Sequence, residues 1–95
     1  MTGTRRSSEG LDARRRKLLF RSWHRGMREM DLILGSFADA EIGALTGDEL
    51  DQYERLLEIS DTEFLPVITG ERPIPADIDC AVLQKILASR QAMTF

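Results

Sequence analysis

Residues 46–63 read Thr-Gly-Asp-Glu-Leu-Asp-Gln-Tyr-Glu-Arg-Leu-Leu-Glu-Ile-Ser-Asp-Thr-Glu, and their punctuation decides the fold. Thr46 with Glu49 forms a Thr-x-x-Glu capping box, in which a hydroxyl oxygen and a carboxylate satisfy two amides that a helix start leaves without partners. Behind it Leu50, Tyr53, Leu56 and Leu57 recur at three- and four-residue spacing, which predicts one buried helical face. Ser60 with Glu63 repeats the box, and Ile59 before it and Phe64 after it stand where a hydrophobic staple sets the angle between successive helices. Two helix starts in so short a run leave no room for strands.

C-terminal to this stretch, Pro66 lacks an amide donor and crowds the preceding turn at about 3 kcal/mol, so the fourth helix is short or kinked. Gly70 closes it. Residues 71–76, with Pro73 and Pro75, make a rigid loop, and a last helix is expected from near Asp77 with Ile78, Val82, Leu83, Ile86 and Leu87 on its apolar face. On the N-terminal side, Met27, Met30, Ile33, Leu34 and Phe37 outline a second helix that the pattern carries from about Met27 to Leu45. Gly35 and Gly43 weaken that helix by up to about 1 kcal/mol each. Asp12 is placed to cap a first helix with Leu19, Phe20 and Trp23 as its apolar positions, ending at Arg25 because Gly26 accepts the left-handed conformation at a helix end. Residues 1–10, rich in Thr, Ser, Gly and charge, read as a disordered tail, and 11–95 as one helical domain. With no alternating pattern and no repeat, the fold class is all-α, a small five-helix bundle.

Charge is unevenly spread. Residues 1–28 hold nine of the thirteen basic side chains against two acids, and the rest holds four against fourteen, so the ends carry about +7 and −10. Such a dipole steers an oppositely charged partner; the plain structural reading is a solvated amphipathic helix. The single Cys80 has no partner for a disulfide, and Cys80 and His24 lack the spacing of a zinc site. No apolar run approaches a membrane span, and the N-terminal segment, with Glu9 and Asp12, reads as neither signal nor transit peptide, which places the chain in the cytoplasm. No glycine-rich phosphate loop or nucleophile–histidine pair is present, so the chain is not expected to be an enzyme.

The stretch that remains is Trp23 to Asp31, Trp-His-Arg-Gly-Met-Arg-Glu-Met-Asp. A glycine without a side chain to block approach stands there between Arg25, with a five-donor planar fork, and Glu29. The plain structural reading is a capping glycine with a local Arg25–Glu29 ion pair of about 0.2–1 kcal/mol. Arg25-Gly26-x-x-Glu29, preceded by residues 15–23 (Arg-Arg-Lys-Leu-Leu-Phe-Arg-Ser-Trp) and followed by Tyr53-x-x-Leu56-Leu57-Glu58-x-x-Asp61, resembles the signature of the SdhE family of succinate dehydrogenase assembly factors from about Arg14 to Arg90. It departs at Leu65-Pro66-Val67, near which the family often has a tryptophan.

That resemblance implies a five-helix protein that binds the flavoprotein subunit of succinate dehydrogenase or fumarate reductase and promotes covalent histidyl-FAD formation. The reacting histidine and the FAD would belong to the client, and no cofactor would be held stably here. Arg25 would hydrogen-bond the client, Gly26 would permit close backbone approach, and Glu29 would orient Arg25 or a client group, with His24, Arg28 and Asp31 at the rim. The free protein is expected to be a monomer with no membrane insertion. A rival reading makes it a nucleic-acid-binding or antitoxin-like module that uses Arg14 to Arg21 on phosphates, with affinity falling steeply with salt.

Overall fold

A computed structural model describes residues 10–92, which contain five α-helices and no strand. They are α1 (Ala13–Trp23), α2 (Arg28–Glu41), α3 (Gly47–Leu57), α4 (Asp61–Ile68) and α5 (Ala81–Gln91). The all-α expectation holds. The chain divides into two units, one carrying α1 and α2 and the other α3 to α5. The expected N-terminal tail lies, but for Gly10, outside the described residues.

In the first unit, Asp12 caps α1 as predicted, its Oδ1 accepting the Arg15 amide at 2.8 Å. The helix ends at Trp23, two residues before the expected Arg25. Its buried face also differs: Leu18, Leu19, Ser22 and Trp23 are buried, whereas Phe20, predicted on the apolar stripe, is 63% exposed. At about 100° per residue, Phe20 lies some 200° around the helix from Leu18, so both cannot face one core. Ser22 sits in that core without penalty because its hydroxyl donates to the Leu18 carbonyl at 2.7 Å.

Helix α2 buries Met30, Ile33, Leu34 and Phe37, as the stripe predicts, but stops at Glu41 rather than running on to Leu45. Ile42 and Leu45 stay buried beyond it, so the apolar pattern persists where the helix does not. Its residues Gly35 and Asp39 both serve Trp23. The indole Nε1 donates to Asp39 Oδ1 at 3.2 Å, and a Cβ built on Gly35 would come within 3.0 Å of three indole ring atoms, Cδ2, Cε2 and Cε3. Gly35 is therefore the seat of the Trp23 ring.

In the second unit, the Thr46–Glu49 capping box forms in full, with Glu49 N–H to Thr46 Oγ1 at 3.2 Å and Thr46 N–H to Glu49 Oε1 at 3.0 Å. Leu50, Tyr53, Leu56 and Leu57 are all buried. Ser60 occupies the N-cap of α4, but the second box does not form: no amide bonds to its side chain, which pairs instead with Thr62 Oγ1 at 3.3 Å. Thr46→Ala is accordingly expected to lose about 0.5–2 kcal/mol, and Ser60→Ala less than about 0.5 kcal/mol, in urea unfolding.

Helix α4 is short, with Pro66 two residues before its end. Gly70, at φ +85°, closes it in a Schellman motif: its amide donates to the Val67 carbonyl at 3.3 Å and the Glu71 amide to the Pro66 carbonyl at 2.8 Å. The last helix starts at Ala81, not near Asp77, because Pro75–Ile78 closes a turn of its own with Ile78 N–H to Pro75 O at 3.1 Å. Ile78 thus leaves the α5 stripe, of which Val82, Leu83 and Ile86 are buried. Cys80 is the N-cap residue and makes no side-chain cap; the Val82 amide is met instead by Gln52 Oε1 from α3 at 3.2 Å.

Lys85 also reaches α3, pairing with Glu49 Oε2 at 3.0 Å. The Glu49 carboxyl is held below its ordinary value of 4.5, first by the Thr46 amide and then by Lys85. A lowered folded-state value means that this contribution is complete above the ordinary value and is lost as pH falls through the lowered one. Melting temperature followed from neutral pH to below 4.5 is expected to fall less steeply for Glu49→Gln than for the parent.

Candidate functional site

Four residues, His24 to Met27, turn the chain from α1 into α2. His24 is the C-cap, with its amide bonded to the Arg21 carbonyl, and Met27 is the extended N-cap of α2. Between them Gly26 takes φ +94°, so glycine is needed there for its conformation, two residues past the C-cap rather than in the adjoining position. Gly26 is exposed, and a Cβ placed on it would meet no atom within 4 Å. A substitution here is strained by backbone conformation alone, at about 1–2 kcal/mol for alanine.

The corner is tied down from α2. The Arg25 amide donates to Asp31 Oδ1 at 2.6 Å, and the Asp31 amide donates to the Met27 carbonyl at 2.9 Å. Asp31, expected at the rim, is half-buried and shapes the corner itself; Glu29 and Arg28, on the same first turn, are exposed. Both acids suit the positive end of the α2 dipole. Arg25 is half-buried. The structure thus places Arg25, Gly26 and Glu29 within one turn-and-cap segment, with the glycine surface open.

His24 is exposed and held in place. Its ring stacks on Phe20, with centroids 3.9 Å apart and planes 14° from parallel, and Nδ1 lies 2.7 Å from the Phe20 carbonyl. A carbonyl only accepts, so Nδ1 carries the proton and Nε2 keeps its lone pair when the ring is neutral. Sequence reading missed this pairing because it assigned Phe20 to the core. The i, i+4 spacing of two rings was the signal available.

The basic cluster is less uniform than its composition suggests. Arg15 Nε donates to the Ile42 carbonyl at 2.9 Å and Nη2 to the Leu45 carbonyl at 2.6 Å, while Nη1 bonds Asp12 Oδ2 at 2.6 Å. Arg16 Nη1 donates to the Leu11 carbonyl at 2.6 Å. These two side chains bind the protein's own backbone, which weakens the phosphate-binding reading of residues 14–21. The Asp12 carboxyl is held below its ordinary value of 3.8, first by the Arg15 amide.

A cleft of about 400 Å³ in the second unit is lined by Val67, Ile68, Pro73 and Leu87 with Arg72 and Arg90. Arg90 Nε is buried there without a hydrogen-bond partner. Among the described residues no group of His, Cys, Asp and Glu is placed to hold a metal, and no helix is long and apolar enough to cross a membrane.

A family model described as "Flavinator of succinate dehydrogenase" matches residues 16–90, which include the corner and all of α2 to α4. Over 81 residues, covering 85% of this chain and 74% of the relative, the sequence is 35% identical to the FAD assembly factor SdhE of Acetobacter pasteurianus. It is 33% identical over 81 residues to the mitochondrial succinate dehydrogenase assembly factor 2 of Caenorhabditis briggsae and 37% identical over 76 residues to that of Dictyostelium discoideum. The chain covers 66% and 54% of those two longer proteins. No solved structure matched. A match that runs from within α1 to within α5 and through the Arg25-Gly26-x-x-Glu29 corner, joined to a relative one third identical along most of both chains, makes this chain a member of the succinate dehydrogenase flavinator family.

Proposed function

We propose that this chain is an assembly factor that binds the flavoprotein subunit of succinate dehydrogenase and promotes covalent attachment of FAD to it, acting by positioning and not as the catalyst. The observation that carries the reading is the α1–α2 corner inside the matched segment: Arg25 and Glu29 flank a left-handed glycine whose outer face is unobstructed. Arg25 supplies directional donors to client carbonyls or carboxylates, Gly26 admits the client's backbone closely, and Glu29 orients Arg25 or a client group. His24 and Arg28 border the contact, and Asp31 holds the corner's shape through the Arg25 amide.

Covalent flavinylation would replace a C–H bond of the flavin 8α-methyl with a bond to a client histidine nitrogen, the flavin ring taking up the electron pair and the two protons released, so both reacting groups are held by the client. What a docked factor contributes is orientation, and holding two groups in a near-attack geometry is worth several orders of magnitude in rate. The same chemistry extends the reading to fumarate reductase flavoproteins, in the cytoplasm, with FAD held by the client throughout.

Co-expression of each variant with the flavoprotein subunit, in cells lacking the native factor, tests this through flavin fluorescence of the denatured client. Arg25→Ala and Glu29→Ala are expected to keep the helical circular-dichroism spectrum and to lower covalent flavin several-fold, as for the loss of an interface hot spot of about 2 kcal/mol. A bulkier residue at Gly26 should harm flavinylation more than folding. Full flavin with all three variants would reduce the corner to a helix boundary; no rescue by the parent protein would sink the assembly reading itself.

A further inference from the structure

Phe20 has no role in the core or in the contacts assigned above, although His24, on which it stacks, caps α1 and borders that contact. Phe20 is the one large apolar side chain exposed among the described residues, at 63%, and contributes nothing to the core. A single exposed apolar residue is ordinary on a protein surface. This one is not free, however: its ring is stacked at 3.9 Å on His24, and His24 is locked by its Nδ1–H bond to the Phe20 carbonyl. The rotamer freedom that an aromatic contact loses on binding is thus already restricted in the free protein, which favours affinity. His24 is also the residue immediately before Arg25, so the stacked surface is continuous with the Arg25-Gly26 corner.

Resting on the docking role proposed for that corner, we propose that Phe20 and His24 form the aromatic anchor of the same interface, seating in an apolar recess of the flavoprotein client rimmed by carboxylates. Aromatic anchors are where interfaces concentrate their binding energy. The rim follows from charge: Lys17, one turn earlier on the face that carries Phe20, is exposed and cationic. In this arrangement the corner fixes register through directional hydrogen bonds, and the stacked pair supplies apolar burial beside it.

The test is the dissociation constant of the full chain for the client flavoprotein subunit, with circular dichroism, thermal melting and sedimentation run on every variant. Phe20→Ala is expected to weaken binding about tenfold or more with an unchanged melting temperature, because the ring is exposed and alanine is the better helix former. Phe20→Trp, which keeps a stackable ring, should retain most of the affinity, and His24→Ala should show an intermediate loss. If Phe20→Ala binds like the parent while Arg25→Ala does not, the anchor is overturned and the corner reading stands. If Phe20→Ala weakens binding while Arg25→Ala and Glu29→Ala do not, the anchor holds as a contact and the corner assignment fails. A Phe20→Ala variant that melts far lower, or that changes only self-association, would also overturn the anchor.

Discussion

Gly35→Ala is expected to destabilise the protein by roughly 2 kcal/mol, against the sign that helix propensity alone assigns to it. In a helix interior free of packing, alanine is favoured over glycine by about 1 kcal/mol. Here the new methyl would fall within 3.0 Å of Cδ2, Cε2 and Cε3 of Trp23, and a rigid fused indole has no flexible end to bend aside. The ring is also buried and bonded to Asp39. Overpacking of this kind costs about 1–3 kcal/mol or more and exceeds the propensity gain. For a domain of this size the loss corresponds to a drop in melting temperature on the order of 10 °C.

A double-mutant cycle isolates the cause. Trp23→Ala alone should cost about 3–5 kcal/mol. On that background Gly35→Ala is expected to become neutral or stabilising, since only the propensity term remains. A Gly35→Ala protein that melts above the parent would show that Trp23 does not seat on α2. Because His24 and Arg25 follow Trp23 directly, this contact also sets where the α1–α2 corner stands.

Arg15→Ala is the second large loss expected, about 2–3 kcal/mol in urea unfolding. Beyond the last turn of α2, the carbonyls of Ile42 and Leu45 receive the Arg15 Nε and Nη2 donors, and Nη1 holds the Asp12 cap of α1. One planar cation therefore joins the start of α1 to the segment that ends α2. Bonds from a charged donor are worth about 1.5–3 kcal/mol each when sheltered, and partial exposure of this side chain reduces their sum. Arg15→Lys tests geometry against charge. A single ammonium cannot span three acceptors, so lysine should recover less than half of the loss. A lysine variant as stable as the parent would return Arg15 to a general basic patch.

Much of this protein was legible without coordinates because its determinants are local. The Thr46–Glu49 box, the α3 face, the Asp12 cap, the stop at Gly70 and the left-handed Gly26 each depend on residues a few positions apart, where backbone geometry leaves few choices. The Arg25-Gly26-x-x-Glu29 segment was visible for the same reason, as was the absence of strands in the described part. Tertiary structure decided what depends on distant partners. Whether Phe20 or Leu18 faces the core is set by how α1 lies on α2, since three consecutive apolar residues, Leu18 to Phe20, cannot all face one side of a helix. Gly35 read as a weak point in a helix and is the seat of the Trp23 indole, whose Nε1 bonds Asp39 sixteen residues on. Arg15 read as one charge among several and is the cap of a helix end twenty-seven residues on. Ser60 carries the same short motif as Thr46 but bonds Thr62, and the start of α5 waits for Gln52 from α3. Local patterns determine which helices can form; the packing of one surface on another determines where they stop, which side chains they bury and which they leave for a partner.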